Sequence, residues 1–241
     1  MIVIVDYGMG NLRSVRHAVE AAGASAEVTG DPGAVEQAEK VILPGVGAFG
    51  AAMRELDRRG LVPILKRHLA AGKPFLGICL GCQILFESSE EAPGMTGLGV
   101  FKGRVVSFRK SGFGTRNSQN QYPLGKSPPS PGPSFSGNPS ANPEPQVPSP
   151  VLKVPHMGWS PVTFRKSHPY LAGIPDNTYF YFVHSFFPAP ADTSLVAGEA
   201  VYGRPFAAMI ATERILATQF HPEKSAAMGI RLLKNFLGTN E

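Results

Sequence analysis

Residues 73–83 read Lys73-Pro74-Phe75-Leu76-Gly77-Ile78-Cys79-Leu80-Gly81-Cys82-Gln83, and the fold turns on them. Positions 73–79 are a short apolar run, the mark of a strand buried on both faces. From Leu80 to about Ser88 the pattern predicts a helix. Cys79 stands at the junction, with Gly77 and Gly81 on either side. A strand that turns at once into a helix forces its corner residue into a tight backbone conformation. Glycines beside the corner remove side chains that would collide there. Such a corner sets the sulfur at a helix N-terminus, where the dipole favours thiolate. It also leaves the Leu80 N–H free to hold an oxyanion. Two other readings stand beside this one. A buried cysteine can be a small hydrophobe, and Cys79-Leu80-Gly81-Cys82 has the spacing of a redox dithiol. The glycines are superfluous for a dithiol, which favours the nucleophile corner.

The same strand signal recurs upstream at IVIV (2–5), VTG (28–30) and KVILPG (40–45). Residues 11–22 place Leu12, Val15, Val19 and Ala22 near one helical face, and 47–60 and 61–72 are also helical in period. Strand–helix alternation predicts an α/β domain with a parallel sheet wrapped by helices. After Ser89 the texture becomes short and β-rich, split by turn residues, in 97–108, 177–187 and 215–222. The chain closes on an amphipathic helix over 225–238, capped by Ser225 and stopped at Gly238.

One segment departs from this pattern. Residues 111–150 hold ten prolines, eight serines and five glycines, too few apolar groups to offset the entropy of ordering. Strand-like texture continues on both sides, so 1–241 reads as a single domain with a disordered insertion at 111–150. Hydrophobic residues at 43% are enough for a buried core. The opening MIVIVDY is apolar for only five residues, too short for a signal peptide or a membrane span, and the expectation is a cytoplasmic protein with no membrane partner. A net charge of +5 comes from scattered residues, with no basic patch to suggest nucleic acid. The two cysteines make no disulfide framework.

A nucleophilic cysteine needs a base, and the base needs an orienting group. Of six histidines, His17 and His68 sit in charged helical surroundings and are expected to be solvated. His221 ends an apolar strand and is followed by Pro222 and Glu223. The proline stiffens the turn, so the carboxylate can reach back to one imidazole nitrogen and leave the other for a thiol. Gly45-Val46-Gly47-Ala48-Phe49-Gly50 matches a dinucleotide fingerprint literally. It follows the third strand rather than the first, and no acidic residue ends the next strand. A second half of an oxyanion hole is the better reading.

Together, PGVG (44–47), GICLGCQ (77–83) and HPEKS (221–225) resemble the class I, triad glutamine amidotransferases. DYGMGN (6–11), VPHMGW (154–159), FVHSFF (182–187) and QFHPEKS (219–225) are similar to the glutaminase subunits of imidazole glycerol phosphate synthase. The motifs run in order across the chain apart from 111–150. The resemblance implies a flavodoxin-like three-layer fold, with a mixed, largely parallel central sheet and the site at the strands' C-terminal ends. It implies Cys79 as nucleophile, His221 as general base and acid, and Glu223 as its orienting group. Leu80 N–H and the Gly45-Val46-Gly47 backbone would form the oxyanion hole, and Gln83 with the Ser185–Phe186 backbone would hold glutamine. Asn11, Trp159, Tyr181 and Lys224 would face a cyclase subunit in a heterodimer. No cofactor and no metal is implied. Two features depart from the family: Cys82 stands where methionine is more frequent, and 111–150 is not part of the usual pattern.

If 111–150 lies outside the core, a short Gly/Ser linker in its place leaves the thermal unfolding midpoint unchanged to within about 2 °C, or about 0.5–1 kcal/mol for a domain this size. Differential scanning calorimetry of the two proteins checks this.

Overall fold

The computed structural model describes residues 1–109 and 152–239, so the insertion expected at 111–150 lies outside the described residues. The first half runs β1 (Ile2–Val5), α1 (Leu12–Ala21), β2 (Glu27–Thr29), α2 (Pro32–Gln37), β3 (Lys40–Gly45), α3 (Phe49–Arg58), α4 (Leu61–Ala70), β4 (Phe75–Cys79) and α5 (Leu80–Gln83). The second half runs β5 (Phe86–Ser89), β6 (Phe101–Ser107), β7 (His156–Phe164), β8 (Thr178–His184), β9 (Phe186–Pro190), β10 (Val196–Tyr202), β11 (Arg204–Ala211), β12 (Ile215–Thr218) and α6 (Ala226–Leu237).

Nine strands form one sheet in the order β2-β1-β3-β4-β12-β11-β10-β7-β8. The pairings from β2 through β12 are parallel, and those from β12 through β8 are antiparallel. A second sheet, β5-β6-β9, was not foreseen from the sequence. The parallel strands are apolar on both faces because helices cover both. Val3, Val5, Val41, Leu43 and Phe75 share a core with Leu56, Leu61 and Leu65 of α3 and α4. The alternate residues Ile4, Ile42 and Leu76 are equally buried on the opposite face, where α1 packs against α6.

This topology brings three chain-distant corners together. β3, β4 and β12 are parallel neighbours, with Gly45 opposite Cys79 and Thr218 opposite Ile78. The segments leaving their C-terminal ends therefore emerge side by side, where open α/β sheets form their crevices.

Three local expectations are corrected. The helix after Cys79 ends at Gln83 rather than near Ser88. The carbonyls of Ile84 and Leu85 are taken by the N–H groups of Leu98 and Val100, so a strand to the second sheet replaces further helical turns. Ser225 makes no side-chain cap on α6. Its hydroxyl instead donates to the His221 carbonyl at 2.6 Å and accepts from Tyr181 N at 3.0 Å. His68 is not solvated. It is buried against Phe75, with Nε2 3.1 Å from the Pro74 carbonyl, and burial pushes its pKa down.

The corner after β4 tolerates no side chain at Gly81, where a Cβ would lie 1.8 Å from the Leu43 carbonyl oxygen. Gly94 has φ +82 but open space around it. Gly94→Ala is expected to cost about 1–2 kcal/mol, the left-handed backbone penalty alone. Gly81→Ala is expected to cost more than about 4 kcal/mol, because backbone must move. Urea midpoints of the two variants check the order.

Candidate active site

Cys79 closes β4 and opens α5 with φ 55 and ψ −106, a left-handed conformation that L-residues other than glycine rarely adopt. Gly77 and Gly81 make it possible, since a Cβ on Gly77 would meet the Gly81 carbonyl at 2.7 Å. Cys79 borders a cavity of about 300 Å³ with Val46, Gly47, Leu80, Gln83, Ser185, Phe186 and His221 on its walls. Residues named from motifs more than a hundred positions apart thus share one cavity. Gly45 is not on its wall. It pairs with Cys79 across the sheet, and a Cβ there would meet the Tyr7 hydroxyl at 2.5 Å.

His221 follows β12, and its Nδ1 lies 2.8 Å from Glu223 Oε1, with both side chains buried. The turn over Pro222–Lys224 folds the carboxylate back onto the ring, as the His-Pro-Glu spacing suggested. Nε2 makes no well-aligned hydrogen bond among the described residues. Burial alone would lower the imidazole's pKa. The Cys79 sulfur and the Glu223 carboxylate more than reverse this and raise it to about 10. The imidazole is thus held protonated at neutral pH.

The cavity's remaining wall comes from the corner between β8 and β9. Gln83 Nε2 donates to the Phe186 carbonyl at 2.9 Å and to Gln219 Oε1 at 3.0 Å. Gln219 Nε2 lies 3.6 Å from Cys79 Sγ. His184 Nδ1 donates to the same Phe186 carbonyl at 2.9 Å, and its Nε2 meets His156 Nδ1 at 3.1 Å. Burial lowers the pKa of His184 to about 3 and of His156 to about 4, so both are neutral.

Sequence reasoning missed Gln219, His184 and Glu91. A polar residue inside an apolar strand-end run was the available signal for the first two. Glu91 lines the cavity and accepts from Phe49 N at the start of α3 at 2.7 Å. That carboxylate occupies the helix N-terminus where a dinucleotide's pyrophosphate would sit, which argues against the fingerprint reading. Cys82 is buried in the core beside Leu80 and Ile84, off the cavity wall, and burial pushes its thiol pKa up. Both cysteines are free thiols.

Of the four residues expected at a partner face, Trp159, Tyr181 and Lys224 lie together beside the Pro222–Lys224 turn. Lys224 Nζ sits 5.7 Å from the Tyr181 ring centroid, and Trp159 meets Tyr181 edge-on at 6.1 Å. Trp159 is 50% exposed, high for so large an apolar group. Asn11 caps α1, which packs on the same turn. Among the described residues no helix is long and apolar enough to cross a membrane, and no cluster of three or more His, Cys, Asp or Glu side chains could hold a metal.

The family model for glutamine amidotransferase class-I matches residues 3–239. The chain is 45% identical to the imidazole glycerol phosphate synthase subunit HisH of Syntrophotalea carbinolica, over 98% of each chain. It is 48% identical to the HisH subunit of Aromatoleum aromaticum, over 98% of this chain and 97% of the relative. Among solved structures, a crystal structure of a glutamine amidotransferase aligns with TM-score 0.65 and 15% identity, over 98% of this chain and 97% of that one. PurLQS from Thermotoga maritima aligns with TM-score 0.64 and 18% identity, over 99% and 97%. At that identity the two show likeness of fold, while the family model spans nearly the whole sequence. The chain belongs to the class-I glutamine amidotransferase family.

Proposed function

We propose that this protein is the glutaminase subunit of an imidazole glycerol phosphate synthase. It hydrolyses glutamine to glutamate and ammonia and hands the ammonia to a cyclase subunit. That partner makes imidazole glycerol phosphate and aminoimidazole carboxamide ribonucleotide in histidine biosynthesis. Relatives bearing the subunit's name at 40–48% identity along the whole chain support this. The observation that carries the chemistry is the shared cavity of Cys79 and the paired His221–Glu223.

In this reading the Cys79 thiolate attacks the side-chain amide carbon of glutamine. The charge that develops on oxygen is held by the Leu80 N–H and by the backbone of Val46 and Gly47, which line the same cavity. His221 gives its proton to the departing ammonia, then takes one from the water that cleaves the thioester. Glu223 keeps the imidazole in one tautomer. Gln83 and the Ser185–Phe186 backbone hold the substrate. Asn11, Trp159, Tyr181 and Lys224 form the docking face for the cyclase.

Cys79→Ala is expected to abolish glutamine-dependent synthesis by the complex while synthesis from added ammonium persists. His221→Ala is expected to cost at least about tenfold more in kcat than Glu223→Gln, and the losses do not add because the three act as one unit. Coupled assays with each nitrogen source check both, and equal, additive losses would show the roles to be wrong.

The subunit alone is expected to be slow, because free ammonia release wastes glutamine. Gly47 has φ +101 and Val46 is 42% exposed, so the loop after β3 can rearrange without leaving the core. A missing oxyanion donor costs about 10²–10³-fold. Glutaminase turnover is expected to rise by about that factor when cyclase and its nucleotide substrate are added. Full turnover by the isolated subunit would count against a partner-dependent site.

A further inference from the structure

Gln219 has no role in the mechanism above, yet its side chain is fully buried with its amide against the sulfur. Hydrogen bonds decide which end of that amide faces Cys79, since nitrogen donates and oxygen accepts. The Phe186 carbonyl can only accept. Gln83 donates to it at 2.9 Å, which fixes the Gln83 nitrogen at that end. The second N–H of that nitrogen meets Gln219 at 3.0 Å, so Gln219 must present its oxygen there. The Gln219 nitrogen is left toward Cys79 Sγ, 3.6 Å away. His184 anchors the same carbonyl from the other side at 2.9 Å. The amide is therefore oriented by a chain of partners reaching from β8 to the sulfur.

We propose that Gln219 is a further catalytic residue: its side-chain N–H donates to the Cys79 sulfur and stabilises the thiolate that attacks glutamine. The proposal rests on the assignment of Cys79 as nucleophile. A donor beside an anion favours the charged form, and hydrogen bonds to charged acceptors are the stronger kind. A more stable thiolate is a weaker nucleophile, but that loss is about half or less of the gain in population. The net benefit is therefore a modest factor. The other titratable groups around the sulfur are His221 with Glu223, Tyr7 beyond Gly45, Cys82 on α5, and Glu91 and His184 on the same cavity. Substitution of Gln219 leaves all of them in place.

The test is alkylation of the full-length chain by iodoacetamide at pH 7, with the modified cysteine located by peptide mass. The thiolate displaces iodide and forms one C–S bond. Gln219→Met is expected to slow labelling of Cys79 by about three- to tenfold, the net effect of losing one donor to a thiolate. Gln219→Glu is expected to slow it further, because a carboxylate repels the sulfur's charge. That variant keeps an acceptor for Gln83, so KM for glutamine stays within about twofold of wild type while kcat falls. An unchanged labelling rate in Gln219→Met overturns the proposal and leaves Cys79 as nucleophile. Failure of the wild-type protein to label at Cys79 overturns the nucleophile assignment itself. A measurement on wild type alone covers variants that do not fold. The assigned side-chain amide ¹⁵N–H resonances of Gln219 are expected to move when Cys79 is alkylated, and resonances that stay in place overturn the proposal.

Discussion

The backbone of Cys79 is the constraint on which the site depends. Its φ of 55 is held by surroundings that leave it no alternative. β4 is hydrogen-bonded in register to β3 on one side and β12 on the other, so the strand cannot relax at its end. The one-turn helix α5 then starts at once, with Gly81 pressed on the Leu43 carbonyl and Gly77 on Gly81. Both glycines serve close approach, and neither has positive φ. The strained residue is the one with a side chain, and its sulfur is thereby lifted out of the core onto a cavity wall.

Around this corner the polar groups are buried and joined. Gln83, Gln219, His184 and His156 would each be costly alone in an apolar interior. Linked through the Phe186 carbonyl, they satisfy one another. A satisfied buried network rigidifies what it connects. Here it ties α5 to the β8–β9 corner, where the chain leaves the nine-stranded sheet for the three-stranded one.

The Pro222–Lys224 turn works on two sides at once. Glu223 points inward to His221, while Lys224 points outward over Tyr181. His221 N also donates to the Tyr181 carbonyl at 2.9 Å, so His221 and the aromatic face share one stretch of backbone. The proposed chemistry and the proposed docking face are separated by the thickness of a single turn.

Local rules made much of this legible in advance. Apolar runs at 2–5 and 40–45 coincide with β1 and β3, because a strand buried on both faces needs continuous hydrophobicity whatever its partners are. Gly77, Cys79 and Gly81 announced the corner, and His221-Pro222-Glu223 announced the paired side chains, because each is a contact between near neighbours in the chain. Other features needed the folded molecule. The helix expected to reach Ser88 stops at Gln83 because distant N–H groups from 98–100 claim its carbonyls. Ser225 caps nothing because Tyr181 and His221 use its hydroxyl. Gln219 looked like one more residue at a strand end. Only the parallel pairing of β4 with β12 sets it beside Cys79, 140 positions away. Backbone propensity and side-chain spacing act over a few residues and are written in the sequence. The partner of a buried polar group is chosen by strand order, which the tertiary structure alone decides.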